Sequence, residues 1–287
     1  MAVPIIFEVL NHGELAARSA SFPGARWLTW SAAFRRCLDE HRSWARVLRP
    51  TIIHLARAKE YSYTFTVTRA GWHSSAFARD LRPFLSEFLA FDPSRSIYFL
   101  TALSTVAQGW PLHTLFATLR AAMAAETGDA WAVMYAPLAN VGKHAGEFPL
   151  HADLYLPEVL VNAFEVVPGD GSGRTTLLPI DDFFRVLRAS AHVPAAARDK
   201  MAELLLSPLG TDAYTEFYNL LHGSENSWTA PLDSDLRTAQ RVIALGRYEG
   251  YLLHDRRWLH GREAPSSGVS RNRLRRLIYR PFAAQSA

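Results

Sequence analysis

The order of the predicted elements in the second half of the chain limits its possible folds more than any other feature. Short segments rich in β-branched and apolar residues predict strands both before and after a block of helices. The predicted strands cover residues 130–135, 150–155, 159–167, 174–178, 241–245, 250–254 and 274–279, and the predicted helices between them cover residues 181–188, 194–206 and 212–221. Segment 159–167 is apolar on both of its faces, so we expect both faces to be covered.

This order of strands, helices and strands is typical of a double-sheet jelly roll that is interrupted by an insertion. We therefore expect a mainly β fold with helical decoration (α+β). Its double-stranded β-helix core would be formed by about residues 130–180 and 240–282, and about residues 181–223 would form a helical lid. No internal repeat, low-complexity block or linker divides the sequence, which predicts a single domain over residues 1–287.

The first half of the chain predicts a mixture of helices and strands. Residues 30–48 predict an amphipathic helix, and residues 111–125 predict another that begins with a proline. Residues 74–91 also predict a helix, with a break expected at Pro83. Residues 61–68 are β-branched and aromatic, which favours a strand.

Composition and charge narrow the possible classes of protein. Hydrophobic residues make up 49% of the chain and charged residues 20%, which is ordinary for a globular protein, and no apolar run is long enough to cross a bilayer. Cys37 is the only cysteine, which excludes an intramolecular disulfide and disfavours a cysteine-based zinc site. Because residues 1–10 lack the pattern of a signal peptide, we expect a cytoplasmic protein. The net charge of +4 is modest and the C-terminal arginines alternate with apolar residues, so neither a nucleic acid nor a membrane is the expected partner.

The motif His151-Ala-Asp153 is the first candidate for metal binding. In an extended segment, residues i and i+2 point to the same side, so His151 and Asp153 can bind one ion together. A second histidine from a distant strand would complete a facial triad of two histidines and one carboxylate. That set is typical of non-haem Fe(II) oxygenases, because it leaves three positions on the metal open. The competing pattern His12-Gly-Glu14 is discounted because no strand is predicted around it.

Further motifs follow His151 along the chain. A glycine-rich turn at residues 168–173 leads into a strand that contains Thr175 and Thr176. Beyond the helical block, a strand runs into the sequence Asp255-Arg-Arg-Trp-Leu-His260-Gly-Arg262, and two adjacent arginines follow in the last predicted strand. Together these motifs resemble the Fe(II)/2-oxoglutarate-dependent oxygenase superfamily, in its clavaminate synthase-like and taurine dioxygenase-like branch. The resemblance covers roughly residues 130–282, and its distal motif is similar to N-R-x-x-x-H-G-R, with Asp255 where asparagine is more usual.

The resemblance implies Fe(II) and 2-oxoglutarate as cofactors, with O2 as co-substrate. The metal ligands that it implies are His151, Asp153 and His260. It implies Arg276 as the residue that binds 2-oxoglutarate, with Arg275 as the alternative, since one residue of slip would exchange the faces of the two side chains. The family's threonine beside the keto acid matches Thr176 best, and Thr175 is the alternative.

The same resemblance implies hydroxylation of an unactivated C–H bond. Related halogenases have a small residue in place of the carboxylate ligand, so Asp153 favours hydroxylation, with desaturation or ring formation as alternatives. The expected substrate is a small molecule, such as a free amino acid or another carboxylate-bearing metabolite from natural-product biosynthesis. Candidates for substrate contact are Asn162, Tyr155 and His144. A non-catalytic, cupin-like metal-binding protein is the alternative from another class, and a nucleic-acid-directed oxygenase is the third hypothesis.

Overall fold

The protein is described here by a computed structural model. The described residues are 6–47, 51–55, 60–64, 74–91, 93, 96–127, 133–139, 146–154, 159–206, 212–266 and 273–279. None of the helices in these ranges is both long and apolar enough to span a membrane.

Strands occur in both halves of the chain. They are β1 (Phe7–Leu10), β2 (Arg26–Trp30), β3 (Thr51–Leu55), β4 (Glu60–Thr64), β5 (Tyr98–Leu100), β6 (Val133–Ala139), β7 (Phe148–His151), β8 (Val159–Val166), β9 (Thr175–Pro179), β10 (Arg241–Ile243), β11 (Gly250–His254), β12 (Trp258–Arg262) and β13 (Arg273–Tyr279). They form a seven-stranded sheet in the order β1-β2-β5-β11-β8-β13-β6, a four-stranded sheet in the order β10-β9-β12-β7, and the pair β3-β4. Neighbouring strands are antiparallel except β2 and β5, which are parallel.

Helices flank the two larger sheets. They are α1 (Gly13–Arg18), α2 (Ala32–Glu40), α3 (Trp44–Val47), α4 (Ala76–Ala90), α5 (Leu112–Thr127), α6 (Ile180–Ala189), α7 (Ala195–Leu206), α8 (Asp212–His222) and α9 (Thr229–Ala239), and a 3-10 turn lies at Val106–Gln108. Among the described residues, more lie in helices than in strands. The fold is therefore a mixed α+β fold with two larger sheets, which confirms the α+β expectation, although helices and not strands predominate among the described residues.

The packing has four layers, helices, the seven-stranded sheet, the four-stranded sheet and helices, because each of the two larger sheets buries both of its faces. Along β8, Val159, Val161 and Ala163 pack with α2, α4 and α5 on one side, while Leu160 and Phe164 point to the other side. Leu160 and Phe164 share their cluster with residues of the four-stranded sheet, so this cluster is the layer between the sheets. The outer face of the four-stranded sheet packs against α6 to α9. The predicted covering of both faces of segment 159–167 is confirmed.

Several predicted elements differ from those in the structure. Residues 30–48 do not form one helix: Trp30 ends β2, and α2 begins at a cap in which the Ser31 hydroxyl accepts a hydrogen bond from the Phe34 amide at 3.1 Å. The break expected at Pro83 is absent, because α4 continues through it with Phe84 and Phe88 in the core. Tertiary packing here outweighs the hydrogen bond that a proline removes.

Other differences concern the second half of the chain. The predicted strand at residues 130–135 is found as β6 at Val133–Ala139, and residues 130–132 lie outside the described residues. The helical block extends beyond residue 223 to include α9, which the sequence did not predict because Pro231 and the run Asp233-Ser234-Asp235 reduce its helix propensity. Pro231 is tolerated because it lies in the first turn, where backbone N–H groups have no helical partner.

Candidate metal centre

The three predicted ligands lie together in the layer between the sheets. His151 is the last residue of β7, and His260 lies directly opposite it on β12, so the two imidazole centroids are 4.3 Å apart. Asp153 follows His151 by two residues, and its two carboxylate oxygens lie 3.6 Å from His151 Nε2 and 3.5 Å from His260 Nε2. All three side chains are buried, and one ligand atom from each lies within 4.8 Å of the others.

The hydrogen bonds around His151 show whether these residues fit a metal ion. His151 Nδ1 lies 2.9 Å from the carbonyl oxygen of Pro149, which can only accept, so Nδ1 carries the proton. In the neutral ring Nε2 is therefore the nitrogen without a proton, and it is buried without a hydrogen-bond partner. Ligand atoms bound to one ion at right angles lie roughly 3 Å apart, close to the spacing found here. Two imidazole nitrogens and a carboxylate oxygen suit Fe(II) and similar divalent ions. The residues thus fit a bound metal ion.

The protonation states of the cluster favour cation binding. Burial disfavours the charge on Asp153, but Arg276 and the two imidazoles hold the pKa of this carboxyl well below its usual range. Burial, together with the neighbouring His151, lowers the pKa of His260 to about 4. Near neutral pH Asp153 is therefore ionised and His260 is neutral, which are the states that a metal ion requires.

The strand register distinguishes the two adjacent arginines of β13. Arg276 shares the inward face of the strand with Ile278. It donates to Asp153 Oδ2, and its Nη2 lies 3.4 Å from His260 Nε2. Arg275 points to the opposite face and is paired with Glu165. Of the two predicted candidates, only Arg276 reaches the cluster.

Asn162 lies on the inward face of β8 and holds Arg276 in place. Its side-chain oxygen accepts a hydrogen bond from Arg276 Nε at 3.0 Å, and its amide nitrogen donates to the Tyr251 hydroxyl at 2.5 Å. Both Asn162 and Tyr251 are buried, so these bonds satisfy polar groups that would otherwise be costly to bury. The contacts indicate that Asn162 orients the arginine, and the sequence-based prediction that it touches substrate stays a prediction.

The two candidate threonines lie on opposite faces of β9. Thr175 shares a face with Leu177, which pairs with His260, so Thr175 lies on the side of the three candidate ligands. Thr176 is opposite Gly261 on the other face, where a Cβ on Gly261 would come within 2.8 Å of the Thr176 hydroxyl and 2.7 Å of the Phe148 carbonyl oxygen. This close approach of three strands explains the glycine of the His-Gly-Arg motif. The register thus places Thr175 on the side of the candidate ligands, whereas the sequence favoured Thr176, and the role of each threonine stays a prediction.

The helical block contacts the cluster of His151, Asp153 and His260 through α8. The Tyr214 ring lies edge-on to the His151 ring with their centroids 6.1 Å apart. His222, the last residue of α8, donates from Nε2 to the carbonyl oxygen of Leu150 at 2.7 Å. The block is therefore attached to the strand that carries His151. Two candidates for substrate contact, His144 and Tyr155, lie outside the described residues.

Asp255 makes contacts with the segment of Asp153 that the sequence did not predict. It was noted only as a departure from the usual asparagine, yet its carboxylate accepts the backbone N–H groups of Asp153 at 3.1 Å and Leu154 at 2.7 Å. Burial and the charge of Asp153 raise the pKa of Asp255 to about 7. The available signal was an acidic residue in an otherwise apolar and basic segment. Tyr251 and Tyr214 carried no comparable signal.

Comparisons with known proteins give structural likenesses but no sequence match. No family model matches the chain, and no curated protein matches it. The structure is similar to an asparagine oxygenase in complex with Fe(II), 2S,3S-3-hydroxyasparagine and succinate, at 13% identity over 89% of this chain and 93% of that chain, with a TM-score of 0.42. It is also similar to the non-heme iron oxygenase OrfP in complex with Fe and L-Arg, at 10% identity over 88% of this chain and 92% of that chain, with a TM-score of 0.41.

A third similar structure is PvcB from Pseudomonas aeruginosa, at 14% identity over 89% of this chain and 85% of that chain, with a TM-score of 0.36. At these identities and TM-scores, the likenesses do not by themselves establish the fold or the activity of this chain.

Proposed function

We propose that the protein is a non-haem Fe(II), 2-oxoglutarate-dependent oxygenase that hydroxylates an unactivated C–H bond of a small molecule. The observation that carries this proposal is the buried cluster of His151, Asp153 and His260 with the inward-facing Arg276 beside it. The two facing sheets support a jelly-roll core within a single domain. Fe(II) would be held by the two histidines and Asp153, and 2-oxoglutarate by Arg276 with Thr175 or Thr176.

Bound Fe(II) would supply the activation of O2 and the oxidation of the substrate that the protein's side chains cannot perform. Asp153 supplies negative charge to the metal, while His260 supplies a neutral nitrogen because its pKa is depressed. The Arg276 guanidinium can bind a carboxylate through two parallel N–H bonds, and Asn162 fixes its orientation. The two sheets exclude water from the layer in which these groups lie.

The type of reaction is proposed from the identity of Asp153. Asp153 occupies the ligand position that must be small for halide binding, which supports hydroxylation over halogenation, while desaturation and ring formation remain within the proposal. A free amino acid or an amino-acid-derived metabolite is the proposed substrate. Tyr214 on α8 contacts His151, so the helical block from α6 to α9 would cover the site and influence which substrate is accepted.

Anaerobic addition of Fe(II) and 2-oxoglutarate to metal-free protein tests the proposal. We expect a weak visible charge-transfer band from the chelated keto acid. The band should be lost in His151→Ala, Asp153→Ala and His260→Ala, and it should require a higher 2-oxoglutarate concentration in Arg276→Gln. His192→Ala is the matched control, since His192 is exposed and should leave the band unchanged.

Admission of O2 then separates an enzyme from a binding protein. Conversion of 2-oxoglutarate to succinate, followed by a screen of amino acids for coupled hydroxylation, would support the proposed oxygenase. Metal binding without succinate formation would instead favour a non-catalytic, cupin-like protein. A wild-type protein that binds no iron would contradict both.

A further inference from the structure

Asp255 joins the two chain segments that carry the metal-binding residues. It lies in the turn between β11 and β12, and only 2% of its surface is exposed. Its Oδ1 accepts the Asp153 amide and its Oδ2 accepts the Leu154 amide. One carboxylate therefore fixes the backbone of the segment just after β7 from a position five residues before His260.

The backbone that Asp255 holds is in an unusual conformation. Leu154 has a φ of 53°, in the left-handed region that side chains other than glycine seldom adopt. Such a conformation is strained, and it persists only where surrounding contacts require it. The amide of Leu154 makes the shorter of the two bonds to Asp255, at 2.7 Å. Asp255 thus stabilises the bend that directs Asp153 toward the histidines.

The same carboxylate faces the second histidine. Asp255 Oδ1 lies 3.7 Å from His260 Nδ1, and this ring nitrogen is buried without a hydrogen-bond partner. His260 Nε2 faces Asp153 at 3.5 Å, so Nε2 is the nitrogen available to a metal ion and Nδ1 carries the proton. A carboxylate oxygen beside Nδ1 favours the tautomer that leaves Nε2 for a metal ion, although 3.7 Å is too long for a hydrogen bond.

We propose that Asp255 is a positioning residue that orients Asp153 and His260 together toward the metal ion. This inference depends on the proposed function, since it concerns the same metal centre. An aspartate supplies two acceptors for the two N–H groups, whereas an asparagine supplies one acceptor and an NH2 group that repels the second N–H. The acidic residue at this position therefore allows both backbone bonds and the contact with His260.

Metal affinity tests the proposal without relying on turnover. Co(II) is titrated anaerobically into metal-free wild type, Asp255→Asn and Asp255→Ala, and the visible absorption of bound Co(II) gives the Kd and reports the coordination geometry. We expect the Kd to rise about 10- to 100-fold in Asp255→Ala, with altered Co(II) bands, and to rise less in Asp255→Asn. The matched control is Asp170→Asn, because Asp170 also accepts a backbone N–H, from Ser172 at 3.0 Å, but in an exposed turn.

The melting temperature of each metal-free protein separates positioning from a general structural role. A raised Kd with a melting temperature close to that of wild type supports the proposal. An unchanged Kd and unchanged Co(II) bands would overturn it, and so would a raised Kd that only parallels a loss of folded protein. If Asp255→Ala does not fold, the isosteric Asp255→Asn decides the question by the same criteria. Failure of wild type to bind Co(II) or Fe(II) would instead reject the proposed function.

Discussion

The two buried faces of the seven-stranded sheet differ in the chemistry of their side chains. On the helical face, which packs against α4 and α5, the side chains of the sheet are apolar, as with Val161, Leu252 and Leu277. On the inner face, which packs against the four-stranded sheet, the side chains include the polar groups of Asn162, Tyr251 and Arg276. Adjacent residues in the chain thus belong to environments that differ in chemistry although both are buried.

The difference shows how a buried polar site is made compatible with a stable sheet. On the helical face, burial of apolar surface stabilises the fold at about 25 cal/mol per Å² and needs no specific partner. On the inner face, each polar group is bonded to another: Tyr251 to Asn162, Asn162 to Arg276, and Arg276 to Asp153. Removal of a residue from the helical face should therefore affect stability, and removal from the inner face should affect ligand binding.

The largest expected effect is on stability and comes from the helical face. Leu252→Ala should reduce the free energy of unfolding by about 2–5 kcal/mol, because the fully buried side chain leaves a cavity. Urea denaturation monitored by circular dichroism gives this value. The Co(II) Kd should stay within about twofold of wild type once the protein is folded. A large change in metal affinity would show that the two faces are not independent.

The second effect tests the adjacent arginines as a matched pair. Arg276→Gln should raise the 2-oxoglutarate concentration for half-saturation about 100-fold, since a charge-assisted bidentate contact is lost. Arg275→Gln should change it by less than about threefold, because Arg275 points to the other face and pairs with Glu165. Isothermal titration of Fe(II)-loaded protein under anaerobic conditions measures both. Equal effects of the two substitutions would contradict the assignment by face.

Tyr251→Phe should have a smaller effect that is confined to the inner face. Loss of the hydroxyl removes the partner of the Asn162 amide, which should cost about 1–3 kcal/mol of stability. Because Asn162 also orients Arg276, the affinity for 2-oxoglutarate should fall severalfold in the same variant. Denaturation and titration on one preparation measure the two quantities. A loss of stability with unchanged 2-oxoglutarate affinity would show that Asn162 does not orient the arginine.

The smallest effect distinguishes the two threonines of β9. Thr175→Val should weaken 2-oxoglutarate binding by about 0.5–1.5 kcal/mol, because one hydrogen bond from an inward-facing hydroxyl is lost. Thr176→Val should leave the affinity nearly unchanged, since Thr176 lies on the opposite face of the strand. The same calorimetric titration compares them. A larger effect at Thr176 would restore the order expected from the sequence.

Local sequence patterns predicted most strands in the second half of the chain, which carries the candidate metal centre. Segment 250–254 is found as β11, and segments 159–167 and 274–279 are found as β8 and β13 with small changes at their ends. The sequence also singles out His151, Asp153 and His260, which the structure places together. The strand predictions were confirmed because strand periodicity is a property of short segments.

Predictions that depended on long-range packing were less successful. The α4 helix continues through Pro83, and the helical block extends to α9, because buried apolar faces compensate for poor local propensity. The pairing of β9 with β12 places Thr175, and not Thr176, on the side of the candidate ligands. Asp255 was recognised as an exception but its bonds to Asp153 and Leu154 span about a hundred residues of sequence.

The sequence by itself determined which residue types could form a metal centre and which segments alternate as strands. The tertiary structure alone decided that Arg276 and not Arg275 reaches the cluster, that Asn162 supports this arginine, and that Asp255 joins the two ligand segments. The physical reason is that side chains alternate along a strand with a period of two, so a shift of one residue in pairing exchanges the faces. That pairing is fixed by contacts between distant segments, which no local pattern encodes.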